Sequence, residues 1–368
     1  MKQTLVISCV ANGCGEPSPP NNSQPTTNNF VSEEGIIMGL DINKKDVIKN
    51  AFRISKKRNE TAIRIRVPGG HLNVKYLDII KHISEKYGNG HIHLTTRQGF
   101  EIPGINLNDI SMINSLIIPL IEELKNNKGV EITTVSEGYP AAGTRNISAC
   151  IGNRVCQFAN TDTTALAQRI EKEIYPNNYH VKVAITGCPN DCIKARMHDF
   201  GIVAICEPIY NYDLCIGCEA CVKTCKLRVT GALSIHNGKI KRDTRRCIGC
   251  GECVLKCPTY AWIRNPKKYF TVLIMGRTGK KNPRIAERFI HFIDEDSVVD
   301  IIKNCYKFIE KYIDRSLPKE HVGYIVDRIG YQVFRDMVFE GVEINSEARV
   351  SKHIQWCGFH YANDIFLE

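Results

Sequence analysis

The sequence predicts an α+β protein, and three observations carry that reading. Strand-like alternation and helix-like spacing follow one another in the order β-α-β-β-α-β over roughly residues 38–135, the order of a ferredoxin-like layer. A second set of strands and helices begins near residue 144 and resumes at 269. Between its two parts, residues 207–266 are dense in cysteine and short of apolar periodicity, so they read as an insert.

Each element has a local cause. Gly15 to Asn29 is rich in Pro, Asn, Ser and Thr and cannot bury enough apolar surface to offset its ordering entropy, so residues 1–36 read as a disordered extension. Order is expected from about Met38. Asp41 or Asn43 can cap a helix through about Lys57. The segment 62–67, AIRIRV, alternates as a strand, and Gly69-Gly70 turns the chain. A helix over 75–87 ends at Gly88; 91–96 and 99–103 are extended; 108–126 is an amphipathic helix; and EITT at 131–134 begins another strand. In the second unit the pattern predicts a helix at 162–175, strands at 180–186, 200–206 and 269–275, and helices at 297–315 and 318–339. The last twenty residues have no clear period.

Composition narrows the class. The chain has 368 residues, 43% apolar and 24% charged, which is ordinary globular composition. No apolar run reaches the roughly 18 residues of a membrane span. The start MKQTLVISC is too short for a secretory signal, and no Arg precedes Arg53, so no transit peptide is expected and the cytoplasm is the expected location. Seventeen cysteines are too many for packing alone. They imply either a disulfide framework or metal ligation in a reducing compartment.

Their positions decide between these. Cys215, Cys218, Cys221 and Cys225 form one C-x2-C-x2-C-x3-C run, and Cys247, Cys250, Cys253 and Cys257, followed by Pro258, form a second. In such a pair of runs three thiolates of one run hold one 4Fe–4S cluster and the fourth crosses to the other. One cluster therefore takes Cys215, Cys218, Cys221 and Cys257, and the other Cys247, Cys250, Cys253 and Cys225. Zinc uses separated pairs and does not fit quadruple runs. Lys226 stands where a proline usually follows the fourth cysteine. A third set, Cys150, Cys156, Cys188 and Cys192, has C-x5-C and C-x3-C spacing and lies at polar turns. In TGCPNDC, Asn190-Asp191 is expected to cap a following helix, whose free N–H groups would stabilise negative sulfur.

The C-x5-C…C-x3-C pattern resembles the sirohaem-linked cluster motif of the nitrite and sulfite reductase family, and HLTTRQGFEIPG at 93–104 resembles that family's ferredoxin-like half-domain signature. With a two-cluster bacterial-type ferredoxin insert interrupting the sirohaem/4Fe–4S reductase domain, the chain is similar to the anaerobic sulfite reductase C subunits over about residues 38–340. The resemblance implies an oxidoreductase that takes sulfite to sulfide with six electrons, using sirohaem and three 4Fe–4S clusters. It implies that Cys192 bridges its cluster to the sirohaem iron as axial ligand. It places Arg97 and Arg145 at positions where the family binds the substrate oxyanion. The family's K-x-K pair falls at His180-Val181-Lys182, so Lys182 matches and His180 replaces the first lysine, which makes that charge pH-dependent. The expected domains are 37–135, then 136–206 with 267–345, the insert 207–266, and a tail 346–368.

The formal charge is +10, and it has an address. Residues 239–288 hold 14 Lys and Arg against three acids. Sirohaem is a polycarboxylate, and GRTGKKNPR at 276–284 is the candidate lining, through Arg277, Lys280, Lys281 and Arg284. No groove-reading or aromatic-basic pattern supports nucleic acid. No flavin or nicotinamide motif is visible, so electrons are expected from partner subunits of iron–sulfur and flavin type, entering through the insert. One chain holds a single copy of each unit, whereas two-copy relatives take the substrate cations and the cluster cysteines from different copies; self-association is therefore expected. Cys9, Cys14, Cys206, Cys305 and Cys357 have no ligand role. The competing readings are nitrite reduction on the same scaffold and a non-catalytic electron-transfer subunit with three clusters.

Overall fold

A computed structural model describes residues 51–354 apart from 141–142, 280–282 and 318–319. The extension 1–36, most of the helix expected from Asp41, and Cys9, Cys14, Cys357, Lys280 and Lys281 lie outside the described residues.

The first layer is an antiparallel sheet of β1 (Phe52–Ile54), β2 (Glu60–Ile65), β3 (His93–Leu94) and β4 (Phe100–Asn106) in the order β1-β2-β4-β3. Period two works as expected along β2. Thr61, Ile63 and Ile65 enter the core, and Arg64 and then Arg66 fall on the opposite face. Behind the sheet lie α1 (Leu77–Lys86), α2 (Ile110–Leu116) and α3 (Ile118–Glu122), the last running into a π-helical turn at Glu123–Asn127.

Three expectations change here. Residues 52–54 are a strand at the sheet edge, not the end of a helix. The single helix at 108–126 is broken next to Pro119, which has no N–H to give the preceding turn. EITT does not join the sheet; Val130 and Ile132 fill the core from an irregular segment. The element order is thus β-β-α-β-β-α, and the core of this layer also takes in Tyr139 and Tyr175, beyond residue 135.

The second unit is a six-stranded sheet in the order β14-β13-β12-β7-β6-β5. Its strands are β5 (Ser148–Ala149), β6 (Val183–Thr186), β7 (Phe200–Ile205), β12 (Tyr269–Ile274), β13 (Glu287–Ile293) and β14 (Arg349–Val350). The first three are parallel and the rest antiparallel. Strands β6, β7 and β12 are buried along their whole length, as runs such as VAIT and FGIVAI require. One face packs on α4 (Thr163–Ile174), α7 (Glu295–Tyr312), α8 (Val322–Ile329) and α9 (Tyr331–Val338). Asp162 and Asp294 cap α4 and α7 through their side chains. The helix expected at 318–339 is two helices, parted at Gly330, whose φ of +103° no other residue adopts readily.

Strand β13 is absent from the sequence reading. Its pairing with β12 is interrupted by two register shifts, and Phe292 has a left-handed φ, so its apolar residues lose a regular period. The tail is also corrected. Arg349–Val350 pairs with β13, and Ser351 donates its N–H to the Phe289 carbonyl, so these residues are part of the sheet.

Between β7 and β12 the chain leaves and returns as a paired base, β8 (Pro208–Tyr210) against β11 (Trp262–Arg264). Outside it lie α5 (Ala220–Arg228), the hairpin β9 (Leu233–His236) and β10 (Lys239–Arg242), and α6 (Glu252–Lys256). The two cysteine runs have the same local form. Each helix is entered through a left-handed residue, Glu219 or Gly251. The core here is small, formed by Cys221, Leu233, Ile240 and Trp262 with partly buried cysteines against it.

Candidate metal centres and anion site

All fourteen described cysteines are free thiols. Among the described residues no three His, Cys, Asp or Glu side chains converge on one point as a single ion demands. The thiols instead fall into groups, and a four-iron cluster takes one thiolate at each of its corners.

The first group lies at the carboxyl ends of parallel strands β5 and β6, the edge at which open α/β sheets build sites. Cys150 closes β5, its N–H donating to the Ile185 carbonyl (3.0 Å). Cys156 follows a 3-10 turn at Gly152–Arg154. Cys188 and Cys192 follow β6. Burial pushes the Cys188 thiol up, and the charges of Cys156, Cys192 and Cys150 add to the shift, which puts the four sulfurs within electrostatic reach of one another. Gly187 donates its N–H to Cys150 Sγ (3.1 Å), and a side chain at 187 would strike Ala159 at 2.6 Å. Backbone amides aimed at sulfur, with room made by a glycine, suit a charged cluster.

The expected helix after Cys192 is absent. Asp191 instead accepts from the Ala195 N–H (2.6 Å) and organises a single 3-10 turn, Ala195–Met197, entered through left-handed Lys194. Local N–H groups, not a helix dipole, are what this turn offers. Cys192 is the exposed member of the four.

In the segment between β7 and β12 the two runs interleave. Cys225, Cys247, Cys250 and Cys253 line one pocket together with Pro208, Leu233 and Gly251. Burial pushes the Cys250 thiol up to about 11, and the Glu252, Cys247 and Cys225 charges add to this. The Ala232 N–H donates to Cys225 Sγ (3.2 Å). Burial also raises Cys221, with Cys257 contributing from the other run. Cys257 itself is held below the usual thiol range: burial opposes this, but hydrogen bonds from Trp262, Thr259 and Ala261 outweigh it. The donor set therefore fits two clusters with exchanged fourth ligands.

Cations collect on the outer face of β2. The turn Thr95–Gly99, closed by Thr95 N–H to the Gly99 carbonyl (2.9 Å), presents Arg97 and left-handed Gln98. Gly99 is required there, since a Cβ would lie 2.7 Å from the Ile65 carbonyl oxygen. Gln98 makes a paired bond to Ala149, Nε2 to the carbonyl and N–H to Oε1, both 2.8 Å. Asn146 bonds the Val67 N–H and carbonyl and the Arg97 carbonyl. These two amides tie the Arg97 turn to the strand that ends in Cys150 and bring Arg97 beside Arg145. Burial lowers Arg145 to about 10, assisted by the charges of Arg64, Arg97, Arg53 and Arg66; burial and then Arg64 and Arg53 lower Arg97. Glu101 bonds Arg53 (2.6 Å) and Arg64 (2.7 Å), while buried Glu171 bonds Arg66. A field that presses protons off two guanidiniums favours an incoming anion.

Lys182 reaches the same place from β6. It is 9% exposed. His198 is lowered by burial, partly offset by bonding to Lys194 and by Asp199, and lowered further by the charges of Lys182 and Arg97, so both cations face it. Asp199 accepts the Lys182 N–H (3.0 Å) and pairs with His321 Nδ1 (3.2 Å), and the His321 ring meets His180 edge to face at 4.8 Å. A Cβ on Gly279 would be 3.6 Å from Lys182 Nζ, so the GRTG hairpin flanks the lysine. Within that hairpin Arg277 lies over the Tyr324 ring and Arg284 Nη1 donates to Asp327 (2.6 Å); both are buried. Arg53, Arg64, Asn146, Gln98, His198, Asp199 and His321 were not anticipated. Only the alternation of AIRIRV, which puts Arg64 and Arg66 opposite the core, could have marked two of this cation cluster.

A mixed sheet bearing four thiols at its edge, joined to a smaller layer bearing cations, defines an oxyanion-reductase scaffold. The chain belongs to the nitrite and sulfite reductase family: the nitrite and sulphite reductase 4Fe-4S domain matches residues 141–345, and the nitrite/sulfite reductase ferredoxin-like half domain matches 54–118. It is 44% identical over 324 residues to the anaerobic sulfite reductase C subunit of Salmonella typhimurium, covering 87% of this chain and 95% of that one. It is 31% identical over 281 residues to coenzyme F420-dependent sulfite reductase of Methanocaldococcus jannaschii, covering 76% and 42%. Its fold is similar to that of dissimilatory sulfite reductase I, with a TM-score of 0.56 and 18% identity over 81% of this chain and 73% of that one. Among the described residues no helix is long and apolar enough to cross a membrane.

Proposed function

We propose that this chain is the catalytic subunit of a sirohaem-dependent anaerobic sulfite reductase, with two 4Fe–4S clusters in residues 207–266 and a third at Cys150, Cys156, Cys188 and Cys192. The observation that carries the reading is the convergence of Arg97, Arg145 and Lys182 near the amino ends of β5 and β6, the two parallel strands whose carboxyl ends lead into Cys150 and Cys188. Sirohaem, when bound, would supply the redox-active iron for sulfite reduction, and Cys150, Cys156, Cys188 and Cys192 would hold the cluster that feeds it electrons.

The chain's own residues do the rest. Cys192, the exposed thiol of its set, is the proposed bridge. Arg97 and Arg145 neutralise the oxyanion and stabilise charge gathering on departing oxygen. Lys182 donates protons, since an ammonium releases one far more readily than a guanidinium. His180 is the second proton source, its ring steadied by His321 and thus by Asp199. Arg277, Lys280, Lys281 and Arg284, close together in sequence, are proposed for the sirohaem carboxylates. The exposed cations of 239–288 are proposed to attract an acidic electron-donor subunit. A second copy of the chain is proposed to complete each active site.

Protein purified without oxygen tests this. A sirohaem absorption band, iron near thirteen per chain as roughly the sum of three clusters and one haem, and sulfide formed from sulfite with reduced viologen are expected. A broad iron–sulfur shoulder without the haem band defeats the proposal. Nitrite turnover without sulfide formation would shift it to the nitrite reductase reading.

A further inference from the structure

The two insert centres are not equivalent in position. The loop carrying Cys247 and Cys250 lies on the reductase body. Gly249 packs on Ile205 and Cys206, and its carbonyl accepts the Cys206 N–H (2.8 Å). A Cβ on Gly251 would be 3.1 Å from Asn160 Oδ1. Asn160 in turn donates its N–H to the Gly187 carbonyl (2.7 Å), one residue before Cys188 and on the glycine whose own N–H bonds Cys150 Sγ. Arg264, at the returning strand of the base, donates to Asn160 Oδ1 (3.1 Å) and to the carbonyl of Gln157, next to Cys156 (3.0 Å).

The loop carrying Cys215 and Cys218 packs elsewhere. Its Gly217 packs on the Gly238 turn of the β9–β10 hairpin, within the insert. Tyr212, Leu214 and Ile216 around it are exposed, and so is Cys218.

Resting on the cluster reading above, we infer that electrons run in a fixed order, from the Cys215/Cys218/Cys221/Cys257 centre to the Cys225/Cys247/Cys250/Cys253 centre and then to the Cys150/Cys156/Cys188/Cys192 centre. Asn160 and Arg264 are the bridge for the last step. In that step one electron leaves the second centre, which is oxidised, and enters the third, which is reduced; no bond forms or breaks. Asn160 and Arg264 are positioning residues, closing the gap between the two centres with a hydrogen-bonded path and holding the loop against β7.

The experiment uses the full chain purified anaerobically, mixed with reduced methyl viologen and freeze-quenched for electron paramagnetic resonance. Asn160→Ala and Arg264→Gln are expected to keep the wild-type iron content and to fill the two insert centres at the wild-type rate. The third centre fills at least tenfold more slowly. Should Arg264→Gln lose iron, Arg264→Lys keeps the charge but not both bonds and gives the same comparison. Cys225→Ser is expected to remove the magnetic interaction between the third centre and the insert, and Cys257→Ser to leave it. Unchanged filling in both bridge variants, or the reverse result for the two cysteine variants, overturns the order. Wild-type iron below about twelve per chain, the sum of three four-iron clusters, would instead fail the cluster reading, and that is seen before any variant is made.

Discussion

The six-stranded body and the segment at 207–266 hold themselves together in different ways. The body buries one continuous apolar core from β5 to α9, in which Phe289 stacks on Phe339 and packs on Phe334. The inserted segment has four core side chains, one of them a cysteine, and its remaining interior is lined by thiols. About sixty residues is a length at which an apolar core alone is marginal. The difference teaches that the body is stable through burial, whereas on the proposed cluster reading the segment would draw its stability from bound thiols, because ligand binding at an unformed site is folding free energy.

The largest effect should follow removal of iron. Amide exchange over 208–264 is expected to rise by about a thousandfold or more, while β7 and β12 stay protected, since a local opening removes all protection in its own unit only. Hydrogen-exchange mass spectrometry reads this, and equal collapse of both regions would break the comparison. Next, Phe289→Ala should cost about 3–5 kcal/mol of global stability in denaturant melts. Leu233→Ala in the inserted segment should leave the global midpoint nearly in place and speed only local exchange. A comparable global loss in both would show one shared core.

The body's site gives the third contrast. Arg145→Ala should lower sulfite turnover by about a hundredfold or more, as for loss of a charge-stabilising donor, with the folded state intact by circular dichroism. Because crowding and burial hold Arg145 at about 10, its cation is present below that pH and lost above it, so sulfite affinity should fall as pH rises through 10. Affinity rising there would remove Arg145 from the site. The smallest effect concerns His291, buried in β13 and bonded to Thr271 (2.5 Å). Burial, then Arg288 and Arg349, pushes it down to about 4. The unfolded state therefore binds more protons between about 4 and 6.5, so this contribution is full above 6.5 and is lost as pH falls toward 4, by about 1–3 kcal/mol. His291→Gln should flatten that slope in urea midpoints; an unchanged slope would place the acid sensitivity elsewhere.

The sequence by itself determined what is local. Cysteine spacing is a property of one stretch of chain and is legible there, as are the alternation of β2, the helices α4 and α7, and the family. The sequence could not show what depends on distant pairing. The outer strand β13, with its shifted register, carries no period to read, and the break at Gly330 is hidden inside a continuous apolar pattern. The cation cluster proposed to hold the anion is the clearest case. Arg53 and Arg64 on one hairpin, Arg97 on a turn, Arg145 before β5, and Lys182 with His198 at the edges of β6 and β7 look like separate surface cations along the chain. Tertiary structure brings them together, because the Gln98 and Asn146 amides bridge the two layers, and only then does the mutual repulsion among the guanidiniums exist.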